Sequence, residues 1–388
     1  MRSRPSRQAV LQPLRDFLHT EAAGGVVLVG ATVIALLWAN SPWTDSYFDL
    51  WDTELALDLT VQEWINDGLM TVFFFVVGLE IKRELVEGEL RDRRQAATPA
   101  IAALGGMAVP AVIYLSLNAG GIGRDGWGIP VATDIAMAVG VLSLLGSRVV
   151  PSLKLFLLAL AIADDIGAIV VIAVFYASDF EVLPFLVALL VVGAIVVVQR
   201  MGVDALAVYL VLGAGLWFAL HESGVHATLA GVALGLLTPT RPRRGGGSES
   251  VVEWLEHGLH PWTSFVIVPL FALANAGIAI SVDTISDAAS STITYGIIAG
   301  LVVGKLVGVT AATWLAVRLR VGALPSEASW RAIVGIGALA GIGFTVSIFV
   351  SGLAFEDVAL QDEAKLGILI ASLTAALLGA AVLSVRRR

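Results

Sequence analysis

ALAIADDIGAIVVIAVFY, residues 159–176, is long and apolar enough to cross a bilayer, yet it holds two adjacent carboxylates, Asp164 and Asp165. A transmembrane helix needs about 20 mostly apolar residues. On insertion scales each Asp near the centre costs roughly 2.5–3.5 kcal/mol, so two that stay charged and unpaired cost on the order of 5–7 kcal/mol. Packing alone does not justify that burden. An intramembrane carboxylate reads first as an ion or proton site.

The rest of the chain is of the same kind. Of its 388 residues 57% are hydrophobic and 14% charged, with a mean hydropathy of +0.86. Soluble proteins carry about 25% charged residues. The class is an all-α polytopic membrane protein, because the apolar runs are too long for β-barrel strands. With no cysteine, disulfides, thiol catalysis and Cys-based metal sites are excluded. The net charge of −8 says little about partners, since topology decides where each charge sits.

Twelve apolar segments can be laid out, near 22–39, 61–81, 97–117, 128–145, 152–176, 182–199, 203–220, 223–237, 261–280, 293–317, 330–353 and 364–385. Together they make one integral membrane domain over 1–388. The first is too long for a signal-peptide core, and Leu37 stands where cleavage after Ala39 needs a small residue. It reads as a retained helix after a basic lead-in, 1–21, with Arg2, Arg4, Arg7 and Arg15. Twenty of the 24 Lys and Arg residues fall in one set of alternating loops, against Arg124 and Lys365 in the other. Lys154 and Lys305 fall inside helices. The positive-inside rule then places both termini in the cytoplasm. Residues 238–250, TPTRPRRGGGSES, read as a flexible linker, the cytoplasmic connection running over 238–260. Arg386–Arg388 read as an interfacial anchor, not a nucleic-acid patch. The outer stretch YFDLWDTELALDLT, 47–60, reads equally as an acidic surface loop or a short β-hairpin.

Segments three to five begin on the opposite side from segments ten to twelve. The middle member of each triplet is interrupted. In WGIPVATDIAMAVG, 127–140, Pro130 removes a backbone donor, and Thr133-Asp134 follows at a cap-like spacing. In GIGALAGIGFTVSIF, 335–349, Gly335, Gly337, Gly341 and Gly343 weaken the helix centre. Matched interruptions in oppositely oriented halves point to a transporter of inverted repeats.

The deep ionisable residues are Asp134, Asp164, Asp165 and Lys305. Neighbours on a helix lie about 100° apart, so Asp164 and Asp165 cannot face one point. One can face an aqueous funnel while the other pairs elsewhere, and Lys305 is the deep cation available. Asp134 is placed to accept bonds from N–H groups freed by the break. A purely structural ion network would leave one negative charge over in hydrocarbon, which is what a cation site supplies. HESGVH, 221–226, is one residue too long for a zinc HExxH, and its histidines do not share a face. EHGLHPW brings Glu256, His257 and His260 to a membrane mouth, as a solvated helix end or a proton-sensing cluster. Glu80, Arg83 and Glu84 have the spacing of a surface salt bridge.

Several long stretches resemble the NhaA-type sodium/proton antiporters: INDGLMTVFFFVVGLEIKREL, PVATDIAMAVG, ALAIADDIGAIVVIA, SGVHATLAGV, EHGLHPW, PLFALANAG, IIAGLVVGK and GIGFTVSIF. Members of this family are among the examples from which the inverted-repeat rule was drawn. The resemblance implies a non-enzymatic, electrogenic, pH-regulated exchanger of Na⁺ or Li⁺ for H⁺ in the bacterial inner membrane. It implies alternating access, no cofactor, and a homodimer joined through an external hairpin. It makes Asp165 the main sodium ligand and Asp164 its neighbour in the sodium site and the partner of Lys305, with Thr133 and Asp134 lining the site. It assigns Glu80, Arg83, Glu84, Glu256, His257 and His260 to a pH-sensing mouth, and His226 to a further pH-related position. Leu306 departs from the proline expected after the lysine. Two other classes are weaker. An intramembrane aspartyl protease needs its aspartates on separate helices and a GxGD motif, which is absent. A sodium-coupled solute symporter is separated from antiport only by the resemblance.

Overall fold

A computed structural model describes residues 7–203, 205–242 and 249–385. The lead-in arginines Arg2 and Arg4, part of the 238–250 linker and Arg386–Arg388 lie outside the described residues. The described chain folds as helical runs with no strand, only two isolated antiparallel bridges. They are α1 (Arg7–Ala39), α2 (Val61–Val86), α3 (Arg93–Asn118), α4 (Arg124–Leu144), α5 (Pro151–Phe175) and α6 (Val182–Arg200). Then come α7 (Leu206–Glu222), α8 (Leu229–Leu237), α9 (251–275), α10 (Thr292–Arg318), α11 (Trp330–Leu339 with Phe344–Ala354) and α12 (Val358–Ser384). Among the described residues eight helices are long and apolar enough to span a membrane, nine with the halves of α11 taken as one. The molecule is a polytopic membrane protein.

Three expectations need correction. Residues 47–60 do not form a hairpin of paired strands; the fold-back is confined to 53–61, where Leu55 N donates to Leu59 O (2.9 Å) and Val61 N to Thr53 O (3.0 Å). Thr44–Asp52 is helical, and only Glu54 and Thr60 bridge around a turn with Leu57 and Asp58 at positive φ. Tyr47 and Trp51, an i, i+4 pair on this helix, bury their rings, and the alternating Leu55, Leu57 and Leu59 fall in the turn segment after it. Tyr47 Oη donates to Leu273 O (2.8 Å) and accepts from Gly277 N (3.1 Å), pinning this outer helix to the end of α9. Burial pushes its phenol up to about 12, so it stays a neutral donor. Second, α9 begins ten residues before the expected 261, so the connection ends near 250 and not at 260. Ser250 and Glu253 close a capping box, each side chain bonding the other's backbone N–H. Third, Gly335 and Gly337 lie within the first half of α11, and the break falls at 340–343.

Without a hydrophobic force between helices in lipid, small residues let backbones approach. A Cβ on Gly78 of α2 would sit 2.8 Å from Val232 O of α8. The same economy places Lys305. A π-turn, Ala299–Gly304, precedes it in α10. A Cβ on Gly300 would meet Pro130 of α4 at 2.7 Å, and one on Gly304 would meet Pro110 of α3 at 2.8 Å. The turn thus seats the lysine against α3 and α4. Leu306 continues the ordinary helix Lys305–Arg318 beyond it.

Candidate functional site

α4 and α11 cross at their breaks. The first half of α4 is a 3₁₀ turn, Arg124–Val131, and the chain is extended before Ile135 starts the second half. The halves of α11 are bent by 46°. Each break frees backbone donors and acceptors that must be satisfied in an apolar medium. They satisfy one another. Asp134 N donates to Ile342 O (2.6 Å) and Thr133 Oγ1 to Ala340 O (2.9 Å), capping the carbonyl end of the first half of α11. The Asp134 carboxylate caps two helix N-termini at once. Oδ1 accepts from Met137 N (3.0 Å) in α4, and Oδ2 from Thr345 N (3.1 Å) and Thr345 Oγ1 (2.5 Å) in α11. A negative group at two positive helix ends is favourable electrostatics.

Lys305 enters the same layer from α10. Its Nζ donates to Asp164 Oδ2 (2.8 Å), Asp164 Oδ1 (3.0 Å) and Thr133 Oγ1 (2.9 Å). Lys305 and Asp164 are each 1% exposed. The next residue along α5, Asp165, turns the other way. It lines a cavity of about 60 Å³ together with Asp134, Thr133, Thr345, Glu80, Glu21 and His260. Among the described residues no group donates a hydrogen bond to the Asp165 carboxylate. The pair therefore divides as helix geometry required: Asp164 neutralised in the core, Asp165 alone at the cavity wall.

The second candidate set is brought together in part. Arg83 of α2 bonds Glu256 of α9 at 2.5 Å, so it is an inter-helix tie and not an i, i+3 surface bridge. Glu256 is 2% exposed and its Oε2 has no partner among the described residues. His260 Nε2 lies 2.9 Å from Glu21 Oε1 and 4.0 Å from Glu80 Oε1. Glu84 is buried one turn beyond Glu80. His257 points away, exposed beside Glu249 at 2.9 Å. His226 is not part of the mouth. It lies 3.6 Å from Asp67, and that residue precedes Glu80 by 13 positions on α2, or roughly 20 Å of rise. There it lines a separate cavity of about 270 Å³ with Asn66, Asn275, Lys365 and Phe349.

Two site residues were missed in the sequence. Thr345 had a legible signal, a threonine at the second break mirroring Thr133 at the first. Glu21 had none, because a lone carboxylate ahead of the first apolar run looks like any solvated helix start.

The sequence profile of the family described as Na⁺/H⁺ antiporter 1 matches residues 15–383. A protein from Mesorhizobium japonicum named Na⁺/H⁺ antiporter NhaA is 50% identical over 382 residues, covering 97% of this chain and 96% of its own length. One of the same name from Nitrobacter hamburgensis is 48% identical, covering 99% and 94%. Another, from Escherichia coli, is 47% identical, covering 97% and 99%.

Proposed function

Because the chain belongs to the NhaA family of Na⁺/H⁺ antiporters, we propose that it exchanges Na⁺ or Li⁺ for protons at Asp165, electrogenically and by alternating access. The observation that carries this is the unequal fate of the two adjacent aspartates. Asp164 gives both oxygens to Lys305, while Asp165 faces the cavity with no hydrogen-bond donor among the described residues. A desolvated carboxylate facing water needs a counter-ion, and either a sodium ion or a proton serves. Binding of one expels the other, which is the competition an exchanger requires. Asp164 joins the sodium shell when the lysine releases it, and Thr133 and Asp134 supply neighbouring oxygens. No reaction intermediate or cofactor is required.

Alternating access needs an element with two arrangements. The crossed breaks supply it, since short half-helices joined by extended backbone can tilt without losing their internal bonds. The mouth formed by Glu80, Arg83, Glu84, Glu256 and His260, with His257 at its rim, is proposed to set the working pH, and His226 to act from the far cavity. We place the protein in the bacterial inner membrane with both termini cytoplasmic, on the bias of basic loops. A homodimer is proposed as well.

The test is sodium-driven collapse of a proton gradient in proteoliposomes, wild type beside Asp165→Asn. The proposal requires collapse in wild type and none in the variant. Equal collapse in both would refute Asp165 as the exchange site.

A further inference from the structure

The wall of the site cavity includes a carboxylate from outside the two inverted repeats. Glu21 sits at the start of the apolar part of α1, 5% exposed, and it is turned inward across the bundle. It accepts from Ser264 Oγ at 3.2 Å, on the π-turn Thr263–Ile267 of α9, and its Oε1 lies 2.9 Å from His260 Nε2. Pro261 follows that histidine, and Thr263 Oγ1 donates to the His260 carbonyl at 2.8 Å. The helix is thus irregular where the contact is made. Glycine makes the approach possible: a Cβ on Gly24, one turn after Glu21, would lie 2.9 Å from Ser264 Cβ. Asp165 and Asp134 line the same cavity.

We propose that Glu21 is a positioning residue for ion passage, holding the His260 imidazole against the cavity wall and setting the pH at which that wall changes sign. This deepens the reading of Asp165 as the exchange site and rests on it. The groups around the imidazole are Glu21 from α1, Glu80 and Arg83 from α2, and Glu256 from its own helix, on which His257 points away. Asp134 and Asp165 lie across the cavity. Arg83 ties one oxygen of Glu256, and among the described residues Glu21 and Glu80 are the carboxylates with an oxygen within 4.0 Å of His260 Nε2. While the histidine is charged, it binds Glu21 at 2.9 Å and attracts Glu80 from 4.0 Å. Both carboxylates are then screened, and an approaching sodium ion meets a cation. When the proton leaves, the same two carboxylates face the cavity unneutralised and draw sodium toward Asp165.

Removing the charge of Glu21 takes away the nearest of the carboxylates that help His260 keep its proton. An opposite charge within about 4–6 Å shifts such an equilibrium by roughly 1–3 pH units, so the acid limb of activity moves to lower pH by about one unit. The apparent KM for sodium rises several-fold at alkaline pH, because one of the two attracting carboxylates is gone. The experiment is sodium-driven proton movement in proteoliposomes of the full chain, from about pH 5.5 to 9, bracketing histidine. It compares wild type, Glu21→Gln and Glu21→Asp, with Asp165→Asn beside them and thermal unfolding of each in detergent. The expected result is an acid-shifted profile and raised KM in Glu21→Gln, with the wild-type profile restored in Glu21→Asp. A wild-type profile and KM in Glu21→Gln would overturn the inference. So would equal loss of activity and melting temperature in both Glu21 variants, which would make Glu21 a packing residue. Transport by Asp165→Asn would instead overturn the exchange-site reading.

Discussion

Lys305→Met separates the charge of this lysine from its shape. Met fills a similar volume but leaves Asp164, 1% exposed, with no cation. The lost contacts are those to Asp164 at 2.8 and 3.0 Å and to Thr133 Oγ1 at 2.9 Å. At about 3 Å and an effective dielectric near 20, the ion pair attracts by roughly 5 kcal/mol. Breaking a buried pair by removing one partner costs about 3–5 kcal/mol. Unfolding entropy of about 2.1 cal/mol/K per residue gives roughly 0.8 kcal/mol/K for a chain of this length, so the melting temperature falls by about 4–6 °C. The double variant Lys305→Met/Asp164→Asn removes the stranded charge. Its cost is one hydrogen bond at Thr133, about 1 kcal/mol, and its melting temperature lies within about 2 °C of wild type. The assay is thermal unfolding in detergent, followed by tryptophan fluorescence. A double variant no more stable than the single one would refute the pairing. So would a single variant that melts with wild type.

Thr345→Val deletes the hydroxyl that donates to Asp134 Oδ2 at 2.5 Å but keeps the backbone bond. A bond to a charged group is worth about 1.5–3 kcal/mol, so melting drops by about 2–4 °C and the apparent KM for sodium rises in the proteoliposome assay. Ser250→Ala removes one half of the capping box that starts α9, costing about 1 kcal/mol. Hydrogen exchange should speed up in the first turn of α9, while sodium-driven transport changes little.

How much of this was legible depended on whether the signal was local. The interrupted helices were readable because Pro130 and the Gly341/Gly343 pair punish a helix wherever it sits. The split of Asp164 from Asp165 followed from the turn angle of a helix. The start of α9 was also written locally, in Ser250 and Glu253, and was overlooked because the apolar run begins later. Residues 47–60 misled because the alternation of Leu55, Leu57 and Leu59 also fits a turn, and the helix before it is marked only by Tyr47 and Trp51 one helical turn apart. Glu21 was not legible at all. Its meaning comes from Ser264 and His260, more than 230 positions away, and no periodicity within α1 reports them.

The charges at the crossing can be followed to a remainder. Asp134 is spent on two helix N-termini, bonding Met137 N and Thr345 N. Asp164 and Lys305 cancel each other, and Thr133 ties that pair to the carbonyl end of α11 through Ala340. Each of these charges does structural work that would be undone by neutralising it. Asp165 is the exception. It caps nothing and has no hydrogen-bond donor among the described residues, so neutralising it leaves the crossing intact. That independence is what the proposed exchange at Asp165 needs, since a residue in that role gains and loses a sodium ion or a proton in every cycle. The same reasoning separates the two aspartates by their amide variants. Asp165→Asn should melt at or above wild type, because a buried unpaired charge is removed. Asp164→Asn strands Lys305 and should melt several degrees lower, by the same roughly 3–5 kcal/mol. If both variants melt alike, the division of labour between the adjacent carboxylates is wrong, whatever transport they retain.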